Sequence, residues 1–233
     1  MTTAKNLNKD SQNYSGSIDD PAMLNVGEIH KSRKTRLKIL NAGVVSLADH
    51  GHKKLSTTMV AKRAGITRSA MLYHFGSRAE LISAIVQHVT RRRLSMYQEA
   101  MSKIPHDEHF LDAAIDIAWD QLQTPEFFAF TELSLAARTD PELAKTFNPA
   151  MAAYDKERKQ AALEIFPDQE TRGIEFDLRR DIVRFLIEGI AQQNGITYNE
   201  HERKRALKTF LKTLFGSPSG VELLREAVLK AQR

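Results

Sequence analysis

Nothing in this chain alternates apolar and polar residues with the two-residue period of a strand over a useful length. Apolar residues recur instead at spacings of three and four, the repeat of an amphipathic helix. Leu37, Ile39, Leu40, Val44, Leu47 and Ala48 follow it from Lys31 onward, and Gly51 ends that run. A second set, Leu81, Ile82, Ile85, Val86 and Val89, follows it in a long helix expected to reach Ile104 before Pro105. The predicted fold class is all-α.

Residues 55–81, LSTTMVAKRAGITRSAMLYHFGSRAEL, hold two short helices joined by a tight turn. Ser56, Thr57 and Thr58 open the first, which runs to Ala64; Ala61 and Ala64 are small enough for a neighbouring helix to cross closely. Gly65 can adopt the left-handed backbone that ends a helix, and Thr67 can cap the next one. That helix covers roughly Arg68 to Phe75, with Ile66, Met71, Leu72 and Phe75 expected as its apolar back. Ser77 and Glu80, three apart, form a capping box for the long helix. This is the pattern of a helix-turn-helix that reads DNA.

Charge is distributed accordingly. Between His30 and Lys103 fifteen Lys and Arg face three Asp and Glu, a balance of +12, whereas residues 1–29 carry −2 and residues 104–233 carry −5. A basic module joined to an acidic one places the polyanion partner on the first. The triplet Arg91-Arg92-Arg93 sits mid-helix and is expected on a solvated face or in ion pairs with the second domain rather than on DNA. With no cysteine there is no disulfide and no thiolate site. His50 with His52, and His106 with His109, lack the further ligands of a metal site, so no metal and no cofactor is expected. No phosphate loop, nucleophile elbow or metalloprotease helix appears, which argues against an enzyme. No stretch has the roughly 20 apolar residues of a membrane span, and the polar start lacks a signal-peptide core. The expectation is a cytoplasmic protein without membrane contact.

Residues 1–29 have no periodic pattern and are expected as a disordered tail. The helix-turn-helix domain is placed at 30–82, its connecting helix continuing to about 104, and a second helical domain at 105–233. In that domain helices are expected at about 107–123, 125–138, 141–166, 171–195, 200–215 and 217–232.

Val60-Ala61-Lys62-Arg63-Ala64-Gly65-Ile66-Thr67, with Tyr73-His74-Phe75, Ser77-Arg78 and Leu81, resembles the DNA-binding domain of the TetR family of transcriptional regulators. The match covers about residues 33–82. The resemblance implies a homodimer that sets two recognition helices in successive major grooves of a double-stranded operator. It also implies a small-molecule effector bound by the second domain, and hence a repressor released by that effector. By position, Ser56 and Thr57 would touch phosphate and Thr58 a base or phosphate. Thr67, Arg68, Ser69 and Ala70 would face the groove, and Tyr73, His74 and Arg78 would clamp backbone. Many relatives have tyrosine where this chain has Leu72, so one aromatic clamp is absent.

From chemistry alone, Arg68 can pair with guanine O6 and N7, which contributes on the order of 1–3 kcal/mol of discrimination. A phosphate contact or a surface ion pair is an equal alternative for it. Trp119, Phe128, Met151, Tyr154 and Phe185 are the candidate ligand-pocket residues, with plain core packing as the alternative. Ile182 and Leu186, and Leu207, Phe210, Leu211 and Leu214, form two apolar stripes assigned to a dimer contact, with packing inside one chain as the alternative. A sequence-indifferent architectural DNA binder would share the basic module.

Overall fold

The computed structural model describes residues 26–105, 110–165, 174–193, 199–216 and 218–231. The tail at residues 1–25 and the pair His106 and His109 lie outside the described residues. Those described carry ten α-helices, one 3-10 turn and no strand. The chain divides into two compact units, residues 1–38 and 39–233. The described part of the first is the opening of α1 (Val26–Lys54), where Thr35 Oγ1 donates to the Lys31 carbonyl at 3.0 Å. This helix starts inside the stretch expected as tail: its first turn adds backbone bonds onto the periodic segment and needs no apolar repeat of its own.

The second unit begins within α1. Its helical dihedrals break at Gly51, with φ 75°, where the apolar repeat stops. Then come α2 (Thr57–Ala64), α3 (Arg68–His74) and α4 (Arg78–Met101). The remainder is α5 (Phe110–Asp120), a 3-10 turn (Gln121–Gln123), α6 (Pro125–Ala137), α7 (Pro141–Ile165), α8 (Ile174–Gln192), α9 (Glu200–Gly216) and α10 (Pro218–Ala231). Pro125 and Pro141 each occupy the first helical position, where a missing N–H costs nothing.

One apolar core runs from Ile39 to Ala150. It joins Leu47, Val60, Met71, Phe75, Leu81 and Ile85 of the first four helices to Phe130 and Leu133 of α6 and Phe147 of α7. A second core gathers Ile115, Phe127, Ile187, Leu211, Phe215 and Leu224 from α5, α6, α8, α9 and α10. A smaller cluster around Tyr97 and Met101 takes Ala114 and Ile117 of α5. The apolar packing therefore does not stop at Pro105: α4 and α6 are shared between the helix-turn-helix and the later helices.

Two glycines make the packing possible. Gly65 sits at φ 60°, ψ 41°, the left-handed conformation that closes α2. The Gly65 N–H donates to Lys62 O at 3.1 Å and the Ile66 N–H to Ala61 O at 3.0 Å, so the last turn of α2 keeps its carbonyls satisfied. At Gly43 a Cβ would lie 2.4 Å from Ile85 Cδ1. A side chain at Gly43 of α1 would therefore have to displace the end of Ile85 on α4.

Candidate nucleic-acid interface

The helix-turn-helix is capped at every junction. Ser56 Oγ accepts from the Met59 N–H at 3.2 Å and Thr67 Oγ1 from the Ala70 N–H at 3.1 Å. Ser77 Oγ accepts from the Glu80 N–H at 3.0 Å. Glu80 reaches back to the Gly76 N–H at 2.9 Å, one residue ahead of the cap. These bonds fix where the short α3 starts. Its direction is fixed by burial: Met71 and Phe75 have no exposed surface, and the Phe75 N–H closes the helix on Met71 O at 2.9 Å.

With its back held, α3 turns one face outward. Thr67, Arg68 and Ser69 are exposed, Ala70 and His74 are half-buried, and Tyr73 is 75% exposed. The Tyr73 and His74 rings meet edge-on with centroids 5.2 Å apart. Leu72, expected on the apolar back, is 42% exposed and lies on the outward side with Tyr73. In so short a helix only Met71 and Phe75, one turn apart, reach the core, with Ile66 partly buried against it. At the start of α2, Thr58 is exposed and Ser56 and Thr57 are half-buried.

Arg78, expected as a clamp on the DNA backbone, is exposed and also engaged within the chain. Its Nε donates to Leu55 O at 2.7 Å and its Nη2 to His52 O at 2.6 Å. The guanidinium fork thus staples the start of α4 to the end of α1. Its neighbour in the arrangement is Glu132 of α6, which accepts from the His52 N–H at 3.4 Å. Arg63 is likewise engaged, with Asp49 at 2.6 Å. Neither role had a signal in the sequence, because the partners of Arg78 are backbone carbonyls brought near by the turn and Asp49 lies on another helix.

His88 of α4 donates from Nε2 to Asn41 Oδ1 of α1 at 2.7 Å. Burial holds its pKa below the usual 6.5, Arg92 and Arg91 add to that and Glu126 opposes it. The folded state therefore binds this proton less readily than the unfolded chain, so its full stability is present above pH 6.5 and falls as pH drops below that value. His52 is lowered in the same direction, first by burial and then by Arg78. We expect thermal midpoints measured from about pH 7.5 down to about 5.5 to fall less steeply for His88→Gln than for the parent. Parallel curves would show that His88 does not carry the pH response.

The second-half candidates scatter. Tyr154 is buried beside Phe130, ring centroids 5.8 Å apart, and Met151 packs partly buried on the first core. Trp119 and Phe128 pack on the second core. Phe185, expected in the pocket, is 59% exposed on α8. Of the two apolar stripes, Leu186, Leu207 and Phe210 are exposed, Ile182 and Leu214 pack partly buried on the second core, and Leu211 is buried within it. Leu211 and Phe210 are neighbours on α9, about 100° apart around the axis, so one faces in and the other out. Leu223 and Leu229 of α10 are also exposed.

The arginine triplet resolves one by one. Arg91 is exposed, Arg92 reaches Glu126 at 3.4 Å and Arg93 reaches Glu188 at 3.3 Å. The last two are the anticipated ion pairs with later helices. Among the described residues no helix is long and apolar enough to cross a membrane.

Residues 39–85 match the family model for bacterial regulatory proteins of the tetR family. An uncharacterised HTH-type transcriptional regulator of Mycobacterium tuberculosis is 28% identical over 144 residues, spanning 60% of this chain and 74% of that one. The fold is similar to a TetR family transcription regulator from Marinobacter aquaeolei (TM-score 0.53, 16% identity, 84% of this chain and 94% of that one). It is also similar to GusR of Salmonella enterica (TM-score 0.57, 16% identity, 79% and 96%).

Proposed function

The chain belongs to the TetR family of DNA-binding transcriptional regulators, and from that premise we propose that it is a dimeric, sequence-specific repressor released by a small molecule. The observation that carries the DNA side is the orientation of α3. Met71 and Phe75 are locked in the core while Arg68, Ser69 and Tyr73 stand clear of it. A helix held by its back and free at its front can enter a major groove without rearranging.

In this reading Arg68 contacts a base edge, Ser69 and Ala70 line the groove, and Thr58, Tyr73 and His74 hold phosphates. Ser56, Thr57 and Thr67 combine capping with contact to the sugar-phosphate backbone. Arg78 is a positioning residue: its fork keeps α4 on the end of α1, and α3 is held between them. The functional division stays at 30–82 for DNA binding and 105–233 for effector binding and pairing, with α4 common to both. The exposed Phe185 and Leu186 of α8 with Leu207 and Phe210 of α9 are the surface for a second copy.

An effector acts only by binding one arrangement of the dimer better than another. Two contacts stand where such a preference could travel: the shared core through α4 and α6, and Glu132 on the His52 N–H.

Selection of genomic fragments by the purified protein, followed by titration of a recovered site, tests the reading. Arg68→Ala is expected to weaken that site by about 1–3 kcal/mol, roughly five- to 150-fold, while binding to random duplex changes little and the melting curve stays in place. Equal affinity of variant and parent for the site removes Arg68 from base reading. Equal affinity of the parent for site and random duplex at matched salt would instead favour an architectural binder.

A further inference from the structure

Arg93 lies in the middle of α4 and is only 6% exposed. Its guanidinium sits 4.2 Å from the Phe130 ring centroid, 5.5 Å from Phe127 and 5.4 Å from Tyr154. Among the described residues it pairs with Glu188 of α8, one nitrogen to one oxygen at 3.3 Å, and its Nη1 is buried without a hydrogen-bond partner. Burying a guanidinium is costly unless a carboxylate engages it closely and its remaining N–H groups are satisfied. This pair meets neither condition. Glu188 does not make the two-pronged contact, the geometry that suits a guanidinium best.

The surroundings repeat the theme. On α8, Arg180 and Arg184 share Asp155 of α7, at 3.4 and 2.8 Å, and the Nε of each is buried without a partner among the described residues. Asp155 follows Tyr154, whose ring faces Arg93. Arg158, one turn on, lies 5.4 Å from the Tyr97 ring. Arg93, Arg180 and Arg184 pair among the described residues with Glu188, Asp155 and Asp181, and Arg158 lies against the Tyr97 ring. The side chain of Glu188 is 26% exposed, so the carboxylate holding Arg93 is open to solvent while Arg93 is not.

We propose that Arg93 is the anchor for a small organic carboxylate, which binds by taking the place of Glu188 and engaging both terminal nitrogens of the guanidinium. The inference rests on the reading that the later helices hold an effector, and it names the chemical class of that effector. Its consequence is mechanical. Arg93 is on α4 and Glu188 on α8, so an incoming carboxylate breaks a bond between the helix that leads to the DNA module and a helix of the proposed dimer face. The aromatic rings of Phe127, Phe130 and Tyr154 keep the guanidinium in place while its anion is exchanged.

The test is calorimetric titration of the full chain with benzoate, 4-phenylbutyrate and decanoate, each against the primary amide of the same skeleton at constant ionic strength. At least one carboxylate is expected to bind about ten-fold or more tightly than its amide, since a charge-assisted pair is replaced by a neutral one. Arg93→Gln should abolish the difference. Because that variant removes a buried charge and can unfold, Glu188→Gln carries the decision: it keeps the shape of a partly exposed side chain and leaves Arg93 uncontested. It should tighten the preferred carboxylate about ten-fold and leave the amide unchanged. A purely structural pair would give lower stability and no gain in affinity. Carboxylates and amides bound alike, or neither bound by parent and Glu188→Gln, overturns the proposal. DNA binding of the same unliganded preparation is measured in parallel. If it persists, only the carboxylate site has failed; if the folded protein selects no DNA, the regulator reading has failed first.

Discussion

Phe210→Glu is expected to leave a folded monomer that has lost about 10²–10⁴ of its affinity for a two-half-site operator. Phe210 is 56% exposed in the single chain, next to Leu207 at 39%, while Leu211 beside it is buried. Substitution at the outward position therefore leaves the second core intact and places a charge where a second copy is proposed to pack. Two short recognition helices gain affinity by being tied together, since the second contact forms at a high effective concentration. Separated, each reads one half-site alone. Light scattering gives the mass and anisotropy the affinity. A variant that remains dimeric, with unchanged DNA binding, would move the pairing surface away from α9. Phe185→Glu on α8 should behave in the same way, being 59% exposed.

The second large effect is on stability. Phe75→Ala should cost about 3–5 kcal/mol, the range for deleting a buried aromatic side chain. Phe75 is fully buried in the core that α1, α3 and α4 share with α6 and α7, and it ends α3 through its bond to Met71 O. Its loss leaves a cavity beneath the recognition helix, so DNA binding should fall with the denaturation midpoint. Leu72→Ala is the matched comparison. Leu72 is 42% exposed, and its removal should stay within about 0.5 kcal/mol. Similar midpoints for the two variants would mean that α3 is not held by its back.

Much of this architecture is legible in the chain before it folds. α2, α3, α4, α6 and α7 begin where capping residues and prolines put them, because those signals act within a few residues. Thr67, Gly65 and Ser77 perform the local tasks that their chemistry allows. Leu72 departs from expectation for an equally local reason: in seven residues, apolar character does not say which of several neighbours faces inward. Arg78, Arg93 and Glu132 carry no such signal. Their partners lie 23 to 95 residues away, and two of Arg78's bonds go to carbonyls that have no side-chain signature.

The amino-acid order by itself determined an all-helical chain, a basic helix-turn-helix, the caps around it and the family it resembles. Each of these depends on spacing, charge density or backbone preference within one element and its neighbours. Tertiary packing decided which apolar residues face inward, that α4 and α6 belong to a core shared across Pro105, and that Arg93 is buried among aromatic rings with one nitrogen lacking a partner among the described residues. These are properties of helix faces brought together from distant segments, and burial of a face is set by what packs against it rather than by the residues that form it.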